Sequence, residues 1–183
     1  MIVSLAVFTS RWWMEPSAQA DQVQNPTLRF GATTLLIYLQ LIVGSWMRHS
    51  DAALAIPDFP LAFGKIIPPL SNPLVAIHFA HRIGALMILL FVSWNFIYVL
   101  KSFRTQPKIM RPSILLMLLV LIQITLGALT VWTKTAVPIA TSHVIVGAIT
   151  LATSLVLTLR SYRIFHGLSR AASPAWKPAV ETA

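Results

Sequence analysis

Residues 74–100 read LVAIHFAHRIGALMILLFVSWNFIYVL, 27 residues with one formal charge, Arg82, and two histidines, His78 and His81. At about 1.5 Å rise per residue such a helix crosses a hydrocarbon core of ~30 Å. Working outward, residues 28–47, 112–133 and 138–159 form three more apolar stretches of about that length. Pro73, Pro112 and Pro138 stand at or just before helix starts, where a missing N–H costs nothing. No stretch alternates like the strands of a barrel. The whole chain agrees: 183 residues, 56% hydrophobic and 10% charged, mean hydropathy +0.74, against about 25% charge in a typical soluble domain. Disorder is excluded by the apolar content. With no cysteine, a disulfide scaffold, a thiolate zinc site, an iron–sulfur cluster and a thiol nucleophile are excluded as well. The expected fold is all-α, a polytopic membrane four-helix bundle in the lipid bilayer.

The basic residues set the expected topology. Arg11 and Arg29 precede the first span, Lys101, Arg104, Lys108 and Arg111 crowd the second loop, and Arg160, Arg163, Arg170 and Lys177 follow the fourth span. The other two loops carry only Arg48, Lys65 and Lys134. This alternation puts both termini inside, as in a multi-pass protein of the inner (plasma) membrane. The +9 net charge is therefore a topology signal, and nucleic-acid binding a poor reading of it, since no basic stripe or aromatic platform is present. Residues 1–27 form an N-terminal segment, 28–160 the bundle and 161–183 a basic cytoplasmic tail. Met1–Phe8 is too short to span and lacks the flanks of a signal peptide, so residues 1–13 read as the end of a preceding helix. The long outer loop, residues 49–72, holds four prolines with Phe59 and Phe63 and reads as a cap on the membrane surface.

A repeat organises the spans. Gln40-Leu-Ile-Val-Gly44 in the first matches Gln123-Ile-Thr-Leu-Gly127 in the third. His81-Arg-Ile-Gly84-Ala85 in the second matches His143-Val-Ile-Val-Gly147-Ala148 in the fourth, one residue out of step. Two hairpins in the same up–down order predict a bundle with a pseudo-twofold axis along the membrane normal, its glycines allowing close helix approach.

His81 and His143 then lie at similar depth on matching helices, and opposed helices would aim two imidazoles at one point, as bis-His ligation of a b-type haem requires. A lone intramembrane His can instead bond a neighbouring helix. Zinc would need a third ligand, which only His78 offers, and a proton relay would be expected to include a buried carboxylate. Arg82 suits a haem propionate, with snorkelling as its alternative. Arg48 suits a second propionate or an ordinary interface anchor. His78 reads as an alternate ligand, proton donor, pocket wall or packed polar group. Gln40 and Gln123 read as interhelical hydrogen-bonding residues or as lining of the cofactor pocket.

The series Gln40-x-x-x-Gly44, then Arg48-His-Ser-Asp-Ala-Ala-Leu-Ala-Ile-Pro-Asp-Phe-Pro-Leu-Ala-Phe-Gly64, resembles the helix-plus-loop signature of the haem A synthase family of cytochrome oxidase assembly proteins. That loop typically reads R-x-(T/S)-G-x-x-L-x-C-P-D-W-P-x-x-x-G. The His81-Arg82 pair, Gln123 to Gly127 and His143 are similar to the family's later helices, so the resemblance covers residues 28–159. It implies oxidation of the haem O C8 methyl to the formyl of haem A, for cytochrome oxidase assembly. In its eight-helix members one half holds haem b through two His, and the other receives haem O and carries a carboxylate three residues before its His-Arg.

Two departures stand out. Ile56 occupies the loop's cysteine position, and His78 stands where the substrate-side half has Glu. The chain thus resembles the cofactor-haem, C-terminal half of a longer enzyme, with a complete four-helix homodimer as the alternative. Partners implied are haem O as substrate, a second four-helix half or a second copy, and haem O synthase. The catalytic base would be His78, Asp58 or a group on a partner chain. The competing functions are a non-enzymatic bis-His b-haem protein that relays electrons or scaffolds assembly, and a structural or transport subunit.

Overall fold

The computed structural model describes residues 25–171, with side chains through residue 165. The segment expected to end a preceding helix and the last part of the tail lie outside the described residues. Among the described residues there are four α-helices, α1 Thr27–His49, α2 Pro73–Ser102, α3 Pro107–Trp132 and α4 Val137–Ala171, with a single 3-10 turn at Ala52–Leu54. Each has a segment long and apolar enough to cross a membrane, and no strand occurs among the described residues. The protein is a multi-pass, all-α membrane bundle.

Local chemistry sets the helix ends. Asn72 caps α2, its Oδ1 accepting the Leu74 N–H at 2.9 Å, with Pro73 in the first turn, a combination suited to a helix start. The short α3–α4 turn uses Lys134 and Thr135 at φ 51° and 62°. α1 and α3 each pack on α2 and α4, so α2 and α4 stand diagonally opposed. The outer faces remain apolar: Leu35, Leu90 and Leu118 are each more than half exposed, as expected of lipid-facing positions.

Two boundaries differ from the sequence reading. α3 starts at Pro107 and encloses Pro112. A proline inside a helix removes one N–H and leaves the carbonyl four residues back without its donor. That carbonyl belongs to Lys108, and Arg160 Nη1 donates to it at 3.1 Å. α4 runs to Ala171 instead of ending near residue 160. Neither Gly nor Pro stands between Arg160 and Phe165, and this stretch still has packing to make. Ser161 and Ile164 are buried, and Phe165 meets Phe103 edge-on.

The α1–α4 seam is made of small hydroxylated residues. Thr34 bonds Ser154 and Thr158 at 2.8 and 2.9 Å, and Thr27 bonds Ser161 at 3.0 Å. Phe30, Val92, Val99, Phe103, Ile109 and Leu116 belong to the main core. That core is displaced toward the basic end, where Lys101, Arg104, Lys108 and Arg111 gather, so the opposite end is left to polar residues and the loop.

Candidate functional site

The sequence repeat is a physical interlock. Gln40 on α1 points its Nε2 at α2, donating to the His81 carbonyl at 2.7 Å and lying 3.1 Å from His81 Nδ1. Gln123 on α3 does the same toward α4, donating to the His143 carbonyl at 3.0 Å. Each amide therefore fixes the backbone at the histidine of the neighbouring helix. The glycines supply the room. A Cβ on Gly44 would stand 3.0 Å from the His81 ring, and one on Gly127 3.5 Å from the His143 ring. A Cβ on Gly84 would overlap the Gln40 amide oxygen, and one on Gly147 would stand 2.7 Å from Gln123 Nε2. Each hairpin is a clasp of Gln, Gly, His and Gly, and the one-residue offset leaves it intact.

The two clasps differ in one respect. His81 Nδ1 is engaged by Gln40, whose Nε2 can only donate, so Nδ1 carries the lone pair and the ring proton sits on Nε2. His143 Nδ1 and Gln123 Oε1 are buried with no hydrogen-bond partner. Unsatisfied buried polar atoms call for an explanation, and a ligand between the helices supplies one. Two imidazoles on diagonal helices, each with a glycine beneath its ring and no acid in the described spans, are a donor set that fits an axially ligated haem. No group of three or more His, Asp or Glu able to hold a metal ion occurs among the described residues, which leaves a zinc site of the ordinary kind without support.

The loop between α1 and α2 closes this end of the bundle. Ile56, standing where the family loop has cysteine, is fully buried and packs with Ala62, Val75 and Phe79. Its backbone is held from both sides: the N–H donates to His78 Nδ1 at 3.3 Å, and the carbonyl accepts from Arg82 Nη2 at 3.1 Å. Arg82 Nη1 reaches the Leu61 carbonyl at 2.9 Å, and its guanidinium lies over the Phe59 ring. Phe59 in turn meets Trp132 at the end of α3 edge-on. The loop is thus drawn across the bundle end toward α3.

These contacts bear on the residues singled out from sequence. The structure pairs Gln40 with His81 and Gln123 with His143. Two loop carbonyls, of Leu61 and Ile56, occupy the Arg82 fork. His78 is buried and its Nδ1 accepts the Ile56 N–H, so its ring works as a staple for the loop. Asp58 Oδ1 accepts the Phe63 N–H at 2.7 Å and Oδ2 the Gly64 N–H at 2.9 Å. These two bonds hold its carboxyl below the usual carboxylate range, which makes it a weak proton acceptor. Arg48 is exposed on the last turn of α1. The glycines were read from the sequence only as allowing close helix approach, and the structure shows which side chain each one makes room for. The Ile56 anchorage and the Pro112–Arg160 pair went unread in the sequence.

Comparison with known proteins agrees with this layout. The chain is 34% identical over 119 residues to Heme A synthase of Geobacillus kaustophilus (strain HTA426), covering 63% of this chain and 37% of that protein. It is 32% identical over 116 residues to Heme A synthase of Halalkalibacterium halodurans, covering 63% and 39%. To Heme A synthase of Alkalihalophilus pseudofirmus it is 30% identical over 129 residues, covering 70% and 43%. The chain thus spans about two fifths of the length of these curated relatives. The model of the cytochrome oxidase assembly protein family, COX15-CtaA, matches residues 1–155. Helix order, clasps and family match converge, and the chain belongs to the cytochrome oxidase assembly protein family.

Proposed function

We propose that this chain is the haem-binding half of a haem A synthase, the membrane oxidoreductase that converts the haem O methyl to the formyl of haem A. The observation that carries this reading is the pair of matched clasps holding His81 and His143 on diagonal helices. His81 and His143, one imidazole from each hairpin, would hold haem b. Gln40 and Gln123 fix the backbone from which those rings project, and the four glycines keep the space clear. Haem bound there supplies one-electron redox chemistry. With haem held by His81 Nε2, the ring proton would have to sit on Nδ1, and Gln40 would then keep only its bond to the His81 carbonyl. Arg82 and Arg48 are the cations nearest in kind to a propionate partner, Arg82 by exchanging a loop carbonyl for it.

Methyl oxidation also needs a proton acceptor. The described spans contain no Asp or Glu. The two candidates on this chain are committed elsewhere, His78 to loop backbone and Asp58 to two amides. This favours a division of labour in which a second four-helix half, or a second copy, supplies the substrate pocket and the base. Both termini face the cytoplasm in this reading, as the distribution of Lys and Arg requires.

The test is spectroscopic and then chemical. The purified chain should show a six-coordinate low-spin haem spectrum that His81→Ala or His143→Ala abolishes; an unchanged spectrum in either variant defeats the ligand assignment. Co-expression with a haem O synthase and a partner half, followed by pigment chromatography, should yield haem A. A haem-loaded chain that yields neither haem A nor a hydroxylated intermediate under any pairing favours the second reading, a bis-His electron-transfer or assembly protein. The same scarcity of proton acceptors supports that reading.

A further inference from the structure

At the basic end, far along the helices from the clasps, an open groove of about 600 Å³ runs between α3 and α4. Its walls divide by chemistry. Lys108, Arg111 and Arg160 line one part, and Leu115, Ile149 and Val156 line the part nearer mid-helix. The two described acids, Asp51 and Asp58, both lie in the loop at the other end of the bundle, so the charge lining the groove is of one sign. Arg160 is anchored, because Pro112 withholds the N–H that the Lys108 carbonyl would normally accept and Arg160 Nη1 takes its place. A guanidinium held this way is pre-organised. The long axis of the groove is also legible: cations sit at the helix ends, where a head group would lie, and the apolar wall continues toward the middle of the span.

We propose that this groove is a binding site for an anionic phospholipid, with the phosphate between Lys108, Arg111 and Arg160 and one acyl chain along Leu115, Ile149 and Val156. The combination of cations at one level and an apolar track below suits a molecule that is charged at one end only. A free phosphate uses the first part alone, and a zwitterionic lipid brings a cation of its own against three others. The site is independent of the haem reading, since it shares no residue with the clasps.

The experiment is native mass spectrometry of the full chain in neutral detergent, titrated with phosphatidylglycerol, with phosphatidylcholine of the same acyl chains, and with inorganic phosphate. At about fivefold per cation near an anionic head group, phosphatidylglycerol should bind roughly a hundredfold more tightly than phosphatidylcholine. The double variant Lys108→Gln/Arg111→Gln, which leaves the Pro112–Arg160 anchor in place, should lose roughly twenty-five-fold of that affinity. Equal binding of the two lipids, or a double variant that binds phosphatidylglycerol like the parent, overturns the proposal. So does inorganic phosphate binding as tightly as the lipid, which would make the groove a bare anion site. Loss of the haem absorption band in the double variant would reassign the groove to the tetrapyrrole. The comparison of lipids on the unmodified chain stands even if the variant misfolds.

Discussion

Replacing Gly84 with alanine should change sign according to what stands at position 40. In the parent, the new Cβ overlaps the Gln40 amide oxygen, and the end of a flexible side chain can swing away from it. What is lost is the clasp, because Gln40 Nε2 serves both the His81 carbonyl and Nδ1. Interhelical hydrogen bonds in membranes contribute about 0.6–1.5 kcal/mol each, so two amount to about 1–3 kcal/mol. Alanine returns about 1 kcal/mol of helix propensity, leaving Gly84→Ala neutral to about 2 kcal/mol destabilising. With Gln40→Ala already present there is no amide to displace, and the same substitution should stabilise by up to about 1 kcal/mol. The propensity gain occurs in both backgrounds and cancels, so the cycle reads a coupling of about 1–3 kcal/mol. Gly31→Ala is the control, since its Cβ meets only Thr158 Cγ2 at 3.8 Å, an ordinary contact. The assay is reversible unfolding in mixed micelles followed by circular dichroism. Additive single effects, or Gly84→Ala behaving like Gly31→Ala in the parent, would refute the clasp.

Three further outcomes follow from the loop and the basic end. Asp58 titrates below its ordinary value of 3.8 in the folded loop, so its contribution is complete above that value and disappears as pH falls through the lower folded one. The protection factors of the Phe63 and Gly64 amides, relative to their intrinsic exchange rates, should therefore be complete near neutral pH and fall as the pH drops below 3.8, and Asp58→Asn should remove that pH dependence. His78→Leu leaves the buried Ile56 N–H unpaired, at a cost of about 1–3 kcal/mol. It should speed proteolysis within residues 49–72 while retaining the haem spectrum; an unaltered loop with lost product formation would instead mark His78 as a proton-transfer group. Arg160→Gln should destabilise the parent more than the Pro112→Ala variant, because an alanine at that position restores the intrahelical N–H for the Lys108 carbonyl; equal losses in unfolding experiments would disprove that link.

Much of the fold was readable in advance because its determinants are local. Span number and length follow from runs of apolar residues and the fixed rise of a helix. The boundaries that shifted are those set by contacts: α3 accommodates Pro112 because Arg160 satisfies the freed carbonyl, and α4 continues because Ser161, Ile164 and Phe165 have partners. The Gln-x-x-x-Gly and His-to-Gly spacings marked residues that contact one another across each hairpin, and the tolerance of a one-residue offset needed the interlock itself. Arg82, His78 and Asp58 were marked for chemistry on residue type, and each has a backbone partner that residue type does not announce.

The amino-acid sequence by itself determined a multi-span helical bundle with a repeated Gln–His pattern, since hydropathy and helical spacing act over neighbouring residues. The roles of the polar side chains are set by the three-dimensional packing. In an apolar bundle each must find a donor or acceptor, and the nearest is often a main-chain group from a distant segment: Ile56 for His78 and Arg82, Lys108 for Arg160, His81 and His143 for the two glutamines. Every residue carries such a carbonyl, so nothing in its identity tells which one a folded chain will use.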